Sequence, residues 1–177
     1  MSIGTFGDII YTPNRNSKEK TMKISNDIIY VGVNDHEIDL FEGQYVVPNG
    51  MAYNSYLIVD EKVAVMDSVD AGFTAEWLDN IDKALDGKAP DYLVVQHMEP
   101  DHSSSLLKLI EKYPDIQIIG NIKTLGMLSG FYGITKNVKE VKDGETLNIG
   151  EKTLTFHLTP MVHWPETMMT YINEEGL

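Results

Sequence analysis

Apolar positions fall into short blocks separated by Gly, Pro, Asp and Asn, and the spacing inside the blocks changes along the chain. Residues Ile28-Ile29-Tyr30-Val31-Gly32-Val33 and 38–41 read as strands, with Glu42-Gly43 turning between Phe41 and Gln44. Residues 52–59 and 63–66 flank Asp60-Glu61-Lys62, which predicts a hairpin of two buried strands. From residue 74 the period switches to that of a helix: Trp77, Leu78, Ile81 and Leu85 share one face over 74–85, and Asp86-Gly87-Lys88 with Pro90 ends it. The pattern then alternates: strand 92–95, helix 103–113 on Leu106, Leu107 and Ile110, strand 116–119, helix 124–131, and strands at 138–141, 153–158 and 168–172.

Alternating strands and helices in the middle, with strand pairs at both ends, predict a mixed sheet with helices on its outer face rather than a uniformly parallel sheet. A chain of 177 residues suits one sizeable domain better than two. Residues 1–21 lack apolar periodicity and carry Arg15, Lys18 and Lys20 against Asp8 and Glu19, whereas the strong negative charge lies from Met22 onward. That shift predicts a polar, poorly ordered leader at 1–21 and a folded domain at 22–177, with Met22 as a plausible alternative start.

Charge and cysteine content narrow the chemistry. A formal net charge of −13 disfavours nucleic acid and anionic membrane surfaces as partners. No apolar run approaches the roughly 18 residues of a membrane span and no signal-peptide pattern opens the chain, so a cytoplasmic protein is expected. The absence of cysteine excludes disulfides, thiolate zinc sites, iron–sulfur clusters and thiol nucleophiles. Any metal must be held by nitrogen and oxygen. The nine methionines, Met127, Met161, Met168 and Met169 among them, show no repeated spacing and are read as core fillers.

Such donors are concentrated in Gln96-His97-Met98-Glu99-Pro100-Asp101-His102. In extended backbone His97 and Glu99, two apart, point to one side and can share an ion. Pro100 discourages helix at the residue before it, and Ser103-Ser104-Ser105 offers caps for the next helix. Asp101 and His102 thus fall at a helix start, facing the same cavity as ligands of a second ion would. His163 follows in a loop stiffened by Pro160 and Pro165. Imidazole and carboxylate without sulfur suit iron, manganese or zinc, and the carboxylate share favours iron. His36 and His157 lack ligand-type neighbours and are assigned to surface or strand positions. Asp67 could orient a ligand or merely end a strand, and Glu166 is equally open.

The pattern His97-x-Glu99-x-Asp101-His102 followed by His163-Trp164-Pro165 resembles the diiron domain of flavodiiron proteins, also called A-type flavoproteins, and Tyr53-Asn54-Ser55-Tyr56-Leu57-Ile58 resembles that family's N-terminal hairpin. The resemblance runs from about Lys23 to Leu177. Its metal motif is specific, because the wider metallo-β-lactamase superfamily usually has His where Glu99 stands. It implies an α+β fold, the metallo-β-lactamase-like αββα sandwich, with a non-haem diiron centre that reduces O2 to water or NO to N2O. By position His97, Glu99 and His163 would hold one iron, with Asp101 and His102 on the side of the other.

The family pattern also includes a bridging Asp and a last His further along, and a flavodoxin-like domain that carries FMN. None has a counterpart before Leu177, so the sandwich is expected to be incomplete at its C-terminus and the second ion weakly held. Glu166 stands where many relatives have Asp. The intact family implies a rubredoxin-like or flavin electron donor, and the incomplete sheet, exposing an edge and an apolar face, predicts association with another copy into a homo-oligomer. Two other readings stand beside this one: a dinuclear zinc hydrolase of the same superfamily, and an inactive metal-binding fragment. For these residues alone, activity is expected to be weak or nil.

Overall fold

A computed structural model describes residues 22–177; the expected polar leader at 1–21 lies outside the described residues. In chain order the elements are β1 (Ile28–Tyr30), β2 (Val33–Asp35), β3 (Leu40–Phe41), β4 (Tyr45–Val46), β5 (Met51–Tyr53), β6 (Tyr56–Val59), β7 (Val63–Met66), a 3-10 turn (Ala71–Phe73) and α1 (Thr74–Leu85). They continue with β8 (Tyr92–Val94), α2 (Pro100–Ser103), α3 (Leu106–Lys112), β9 (Gln117–Gly120), α4 (Ile122–Tyr132), β10 (Val138–Glu140), β11 (Thr146–Asn148), β12 (Thr153–Leu158) and β13 (Met168–Ile172).

The pleat decides the layering, because successive side chains of a strand serve opposite faces. A six-stranded sheet runs β1-β6-β7-β8-β9-β10. Its first three strands are antiparallel and β7 to β10 parallel. Leu57, Val63, Val65, Leu93 and Ile118 face one side and pack on Trp77, Ile81, Leu85, Leu106, Leu109 and Leu128 of the helices. Their neighbours Ile58, Ala64, Met66, Tyr92, Val94 and Ile119 face the other side and meet Leu154, Phe156, Met168 and Ile172 of a second, three-stranded sheet, β11-β12-β13. The described residues therefore build three layers, helices on sheet on sheet. Among them no helix is long and apolar enough to cross a membrane.

Most predicted elements form, and the exceptions have local causes. The expected strands 28–33 and 52–59 are both broken, at Val31-Gly32 and at Asn54-Ser55: β2 pairs with β5, while β1 and β6 join the large sheet. Ser55 is fully buried, its carbonyl takes the N–H groups of Val31 and Gly32, and its hydroxyl accepts from the Trp77 indole at 3.0 Å. The expected helix 103–113 is two helices, because Pro100 starts α2 one turn early, as its missing N–H and fixed φ allow. Ser103 and Ser105 do not cap α3. Their hydroxyls bond Met98 O and Tyr132, and Asp70 O and Thr74, respectively.

Strand β11 was not predicted; only Leu147 alternates there between polar neighbours. The core reading of the methionines holds for Met168 but not for Met161 and Met169, which are exposed. As expected, His36 is exposed in a loop and His157 lies on the open face of β12. The β3–β4 turn has positive φ at both Glu42 and Gly43, the mirror-image turn that matches strand twist.

Candidate metal centre

Past Val94 the chain leaves its ladder in extended form, and side chains take over its backbone hydrogen bonds. Gln96 N donates to Asp67 Oδ1 at 2.7 Å and Met98 N to Glu166 Oε1 at 2.9 Å. Pinned between these carboxylates, His97 and Glu99 are both 7% exposed and share a side of the strand extension. Glu99 is the N-cap position of α2 but makes no side-chain cap bond there, which leaves its carboxylate to the site.

His97 Nε2, Glu99 Oε2 and His163 Nε2 form a triangle with sides of 2.9, 2.9 and 3.1 Å. Such close lone pairs repel one another unless a proton or cation lies among them. At metal–ligand lengths of about 2.1 Å, donors about 3.0 Å apart subtend about 90° at an ion, the cis angle of an octahedron, whereas a tetrahedral ion asks for about 3.4 Å. Two imidazoles and one carboxylate on one octahedral face is the donor set of non-haem iron(II). The residues present therefore fit an iron ion. His163 is the open corner, its side chain 65% exposed.

Asp101 and His102 lie in α2, as expected, and adjoin the triangle without joining it as a three-donor set among the described residues. The His102 ring centre is 5.3 Å from that of His97. His102 Nδ1 is 3.4 Å from Asp67 Oδ2, an ion-pair distance too long for a good hydrogen bond, and His102 Nε2 is 3.7 Å from Asp101 Oδ2. Asp101 Oδ1 is buried with no donor, and burial pushes the Asp101 carboxyl above its ordinary value. Burial would lower His102, but Asp67, Asp101 and Glu99 outweigh it and hold the imidazolium above its ordinary value. Burial likewise opposes ionisation of Glu99, yet Glu42, His97 and His163 together keep it below the usual carboxylate value.

Several supporting residues were open or invisible in the sequence. Asp67 and Glu166, left ambiguous above, are both buried and both touch a site histidine through Nδ1. Glu42, from the β3–β4 turn, lies close enough to Glu99 for the two carboxyls to interact, which raises Glu42. Asn121 accepts from Lys123 N and Thr124 N to cap α4 and donates to Glu166 O, tying the helix to the 160–167 loop. Only Asn121 carried a signal, an Asn directly before a helical block. Trp164 stands edge-on to His97, ring centres 5.3 Å apart.

A helix-covered sheet stacked on a second sheet, with nitrogen and oxygen donors gathered where β7, β8 and β12 end, defines a protein of the metallo-β-lactamase-like fold. More narrowly, the chain belongs to the ODP family beta lactamase group, whose family model matches residues 51–177. It is 38% identical over 160 residues to the anaerobic nitric oxide reductase flavorubredoxin of Pectobacterium atrosepticum, covering 89% of this chain and 31% of that protein. Among solved structures, rubredoxin oxygen:oxidoreductase from Desulfovibrio gigas superposes with a TM-score of 0.83 at 38% identity, covering 88% of this chain and 39% of that one. The flavodiiron protein of Giardia intestinalis gives 0.83 at 35%, covering 88% and 38%. The chain thus spans about a third of the length of the curated relatives it matches.

Proposed function

We propose that residues 22–177 form the diiron portion of a cytoplasmic, homo-oligomeric flavodiiron-type oxidoreductase that reduces O2 to water, NO to N2O, or both. The observation that carries this is the His97–Glu99–His163 triangle, two imidazoles and one carboxylate converging without sulfur, a donor set that suits non-haem iron. In this reading His97, Glu99 and His163 hold one iron, and Asp101 and His102 contribute to a second. Bound iron would supply one-electron redox chemistry and open positions for a diatomic ligand. Electrons would come from a flavin and a rubredoxin-like donor, as the names of the relatives suggest, the flavin being FMN in the family this chain resembles.

The chain's own residues do the positioning. Glu99 and His97 are buried and pinned through Asp67 and Glu166, so they need little rearrangement to share an ion. Met98, 2% exposed, packs in the helix-side core beneath them, and Trp164 walls the His97 ring. His163, exposed, faces solvent and completes the set.

Anaerobic loading of chelator-treated protein with ferrous or zinc salt, followed by metal analysis, tests the proposal. Tight iron binding that His163→Ala weakens by about 100-fold or more supports it. NO or O2 consumption with a reduced flavin donor would extend the result to turnover. Zinc retention with thioester or lactam hydrolysis would instead establish the hydrolase reading. Loss of both metals and both activities would leave a metal-binding fold without catalysis.

A further inference from the structure

Glu166 is fully buried, an unusual place for a carboxylate, which rarely loses all contact with water unless something pairs with it. Its Oε1 lies 2.8 Å from His97 Nδ1 and also accepts from Met98 N at 2.9 Å. Its Oε2 is buried without any partner. A carboxylate with one oxygen engaged by two donors and the other left unpaired is held for what Oε1 does, since its own satisfaction would call for a donor at Oε2.

What Oε1 does is decide a proton's position. Oε1 already accepts from Met98 N, and as an acceptor toward the ring it assigns the hydrogen between the two groups to His97 Nδ1. The other ring nitrogen, Nε2, is thereby left to the shared centre: it stands 2.9 Å from Glu99 Oε2 and 3.1 Å from His163 Nε2, where it meets an ion or, without one, shares a proton. Glu166 lies three residues after His163 in the same turn, whose shape is set by Met161 N donating to Trp164 O, by Thr167 Oγ1 donating to Trp164 O, and by Asn121 gripping Glu166 O. One short segment thus contributes a donor of the triangle and, through Glu166, the orientation of a second donor from a distant segment.

We infer that Glu166 is a positioning residue: it holds the Nδ1–H of His97 and aims Nε2 at the shared centre, so that the 163–166 turn templates two corners of the triangle at once. The affinity part of this inference rests on the metal-site reading; the ring-holding part does not. A carboxylate behind a ligating imidazole raises its basicity, and loss of such a partner typically weakens metal binding by about 10- to 100-fold. Glutamine at this position keeps an acceptor oxygen for both donors but removes the charge. Leucine removes the acceptor altogether.

Two measurements on Glu166→Gln and Glu166→Leu test the inference. Nitrogen-15 NMR of the imidazoles in chelator-treated protein should show a hydrogen-bonded Nδ1–H on His97 in the parent and in Glu166→Gln, and lose it in Glu166→Leu. Zinc affinity, read by competition with a chromophoric chelator, should fall about 10-fold in Glu166→Gln with an unchanged circular dichroism spectrum. A folded Glu166→Leu that keeps the hydrogen-bonded Nδ1–H, or a Glu166→Gln whose affinity stays within twofold of the parent, overturns the inference. If Glu166→Leu does not fold, the glutamine affinity decides alone. Because the Nδ1–H is read without metal, failure of the iron proposal would leave this result standing.

Discussion

Asp67 ends β7 with φ 53°, a left-handed conformation that costs a residue with a Cβ energy unless its surroundings hold it there. Here they do: its N–H donates to Val94 O, Oδ1 takes Gln96 N, and Oδ2 faces His102. His102 is held above its ordinary value of about 6.5. In metal-free protein, the stability it contributes is therefore complete below about pH 6.5 and is lost as pH rises through the raised folded value. Asp67→Asn keeps an acceptor for Gln96 but removes the charge beside His102. Its folded value should drop, and the variant should lose about 1 kcal/mol at pH 6 and less at pH 8, read by urea unfolding with NMR titration of His102. The five donor candidates were legible because they crowd one short stretch and one proline-flanked loop. Asp67 and Glu166 were not, because a carboxylate's partner across the fold leaves no trace in its neighbours along the chain.

At the scale of elements, helical periodicity located α1 to the residue and placed its end at Asp86, which adopts the left-handed cap conformation. The split of 52–59 escaped because Asn54-Ser55, two polar residues between apolar ones, can also be carried inside one continuous strand. Ser55, by its burial, marks the break. It accepts the indole proton of Trp77, which is fully buried on α1, and so fastens helix to sheet. Ser55→Ala would leave that N–H without an acceptor and should cost about 1–3 kcal/mol, with a changed near-ultraviolet signal from Trp77. A loss below about 0.5 kcal/mol would mean that water replaces the hydroxyl. Likewise, helix 103–113 was misread because three serines in a row look like caps, whereas two of them spend their hydroxyls on tertiary bonds.

Across the whole molecule, the six-stranded sheet is common property: alternate residues of β6 to β9 belong to the helix-side core and to the core shared with the second sheet. The layering was legible from alternating strands and helices, but the pairing of β12 with β13 into a separate sheet depends on contacts far apart in sequence. Lys152, 7% exposed, bonds Asp27 Oδ2 at 2.8 Å and links the two sheets at their rim. The donor triangle crosses the same divide. His97 and Glu99 extend from the large sheet, and His163 hangs between β12 and β13. An ion held by all three would therefore add a clasp between layers that are joined by apolar packing, by the Lys152–Asp27 pair and by the bonds of Glu166 to His97 and Met98. Free metal at about a hundred times its dissociation constant should add about 2.7 kcal/mol to stability. Calorimetry should show a higher melting temperature with ferrous salt, reversed by chelator and absent in His163→Ala. Starved of metal, such a protein would loosen first along the seam between its sheets, which makes its heat resistance a gauge of how much iron its surroundings can spare.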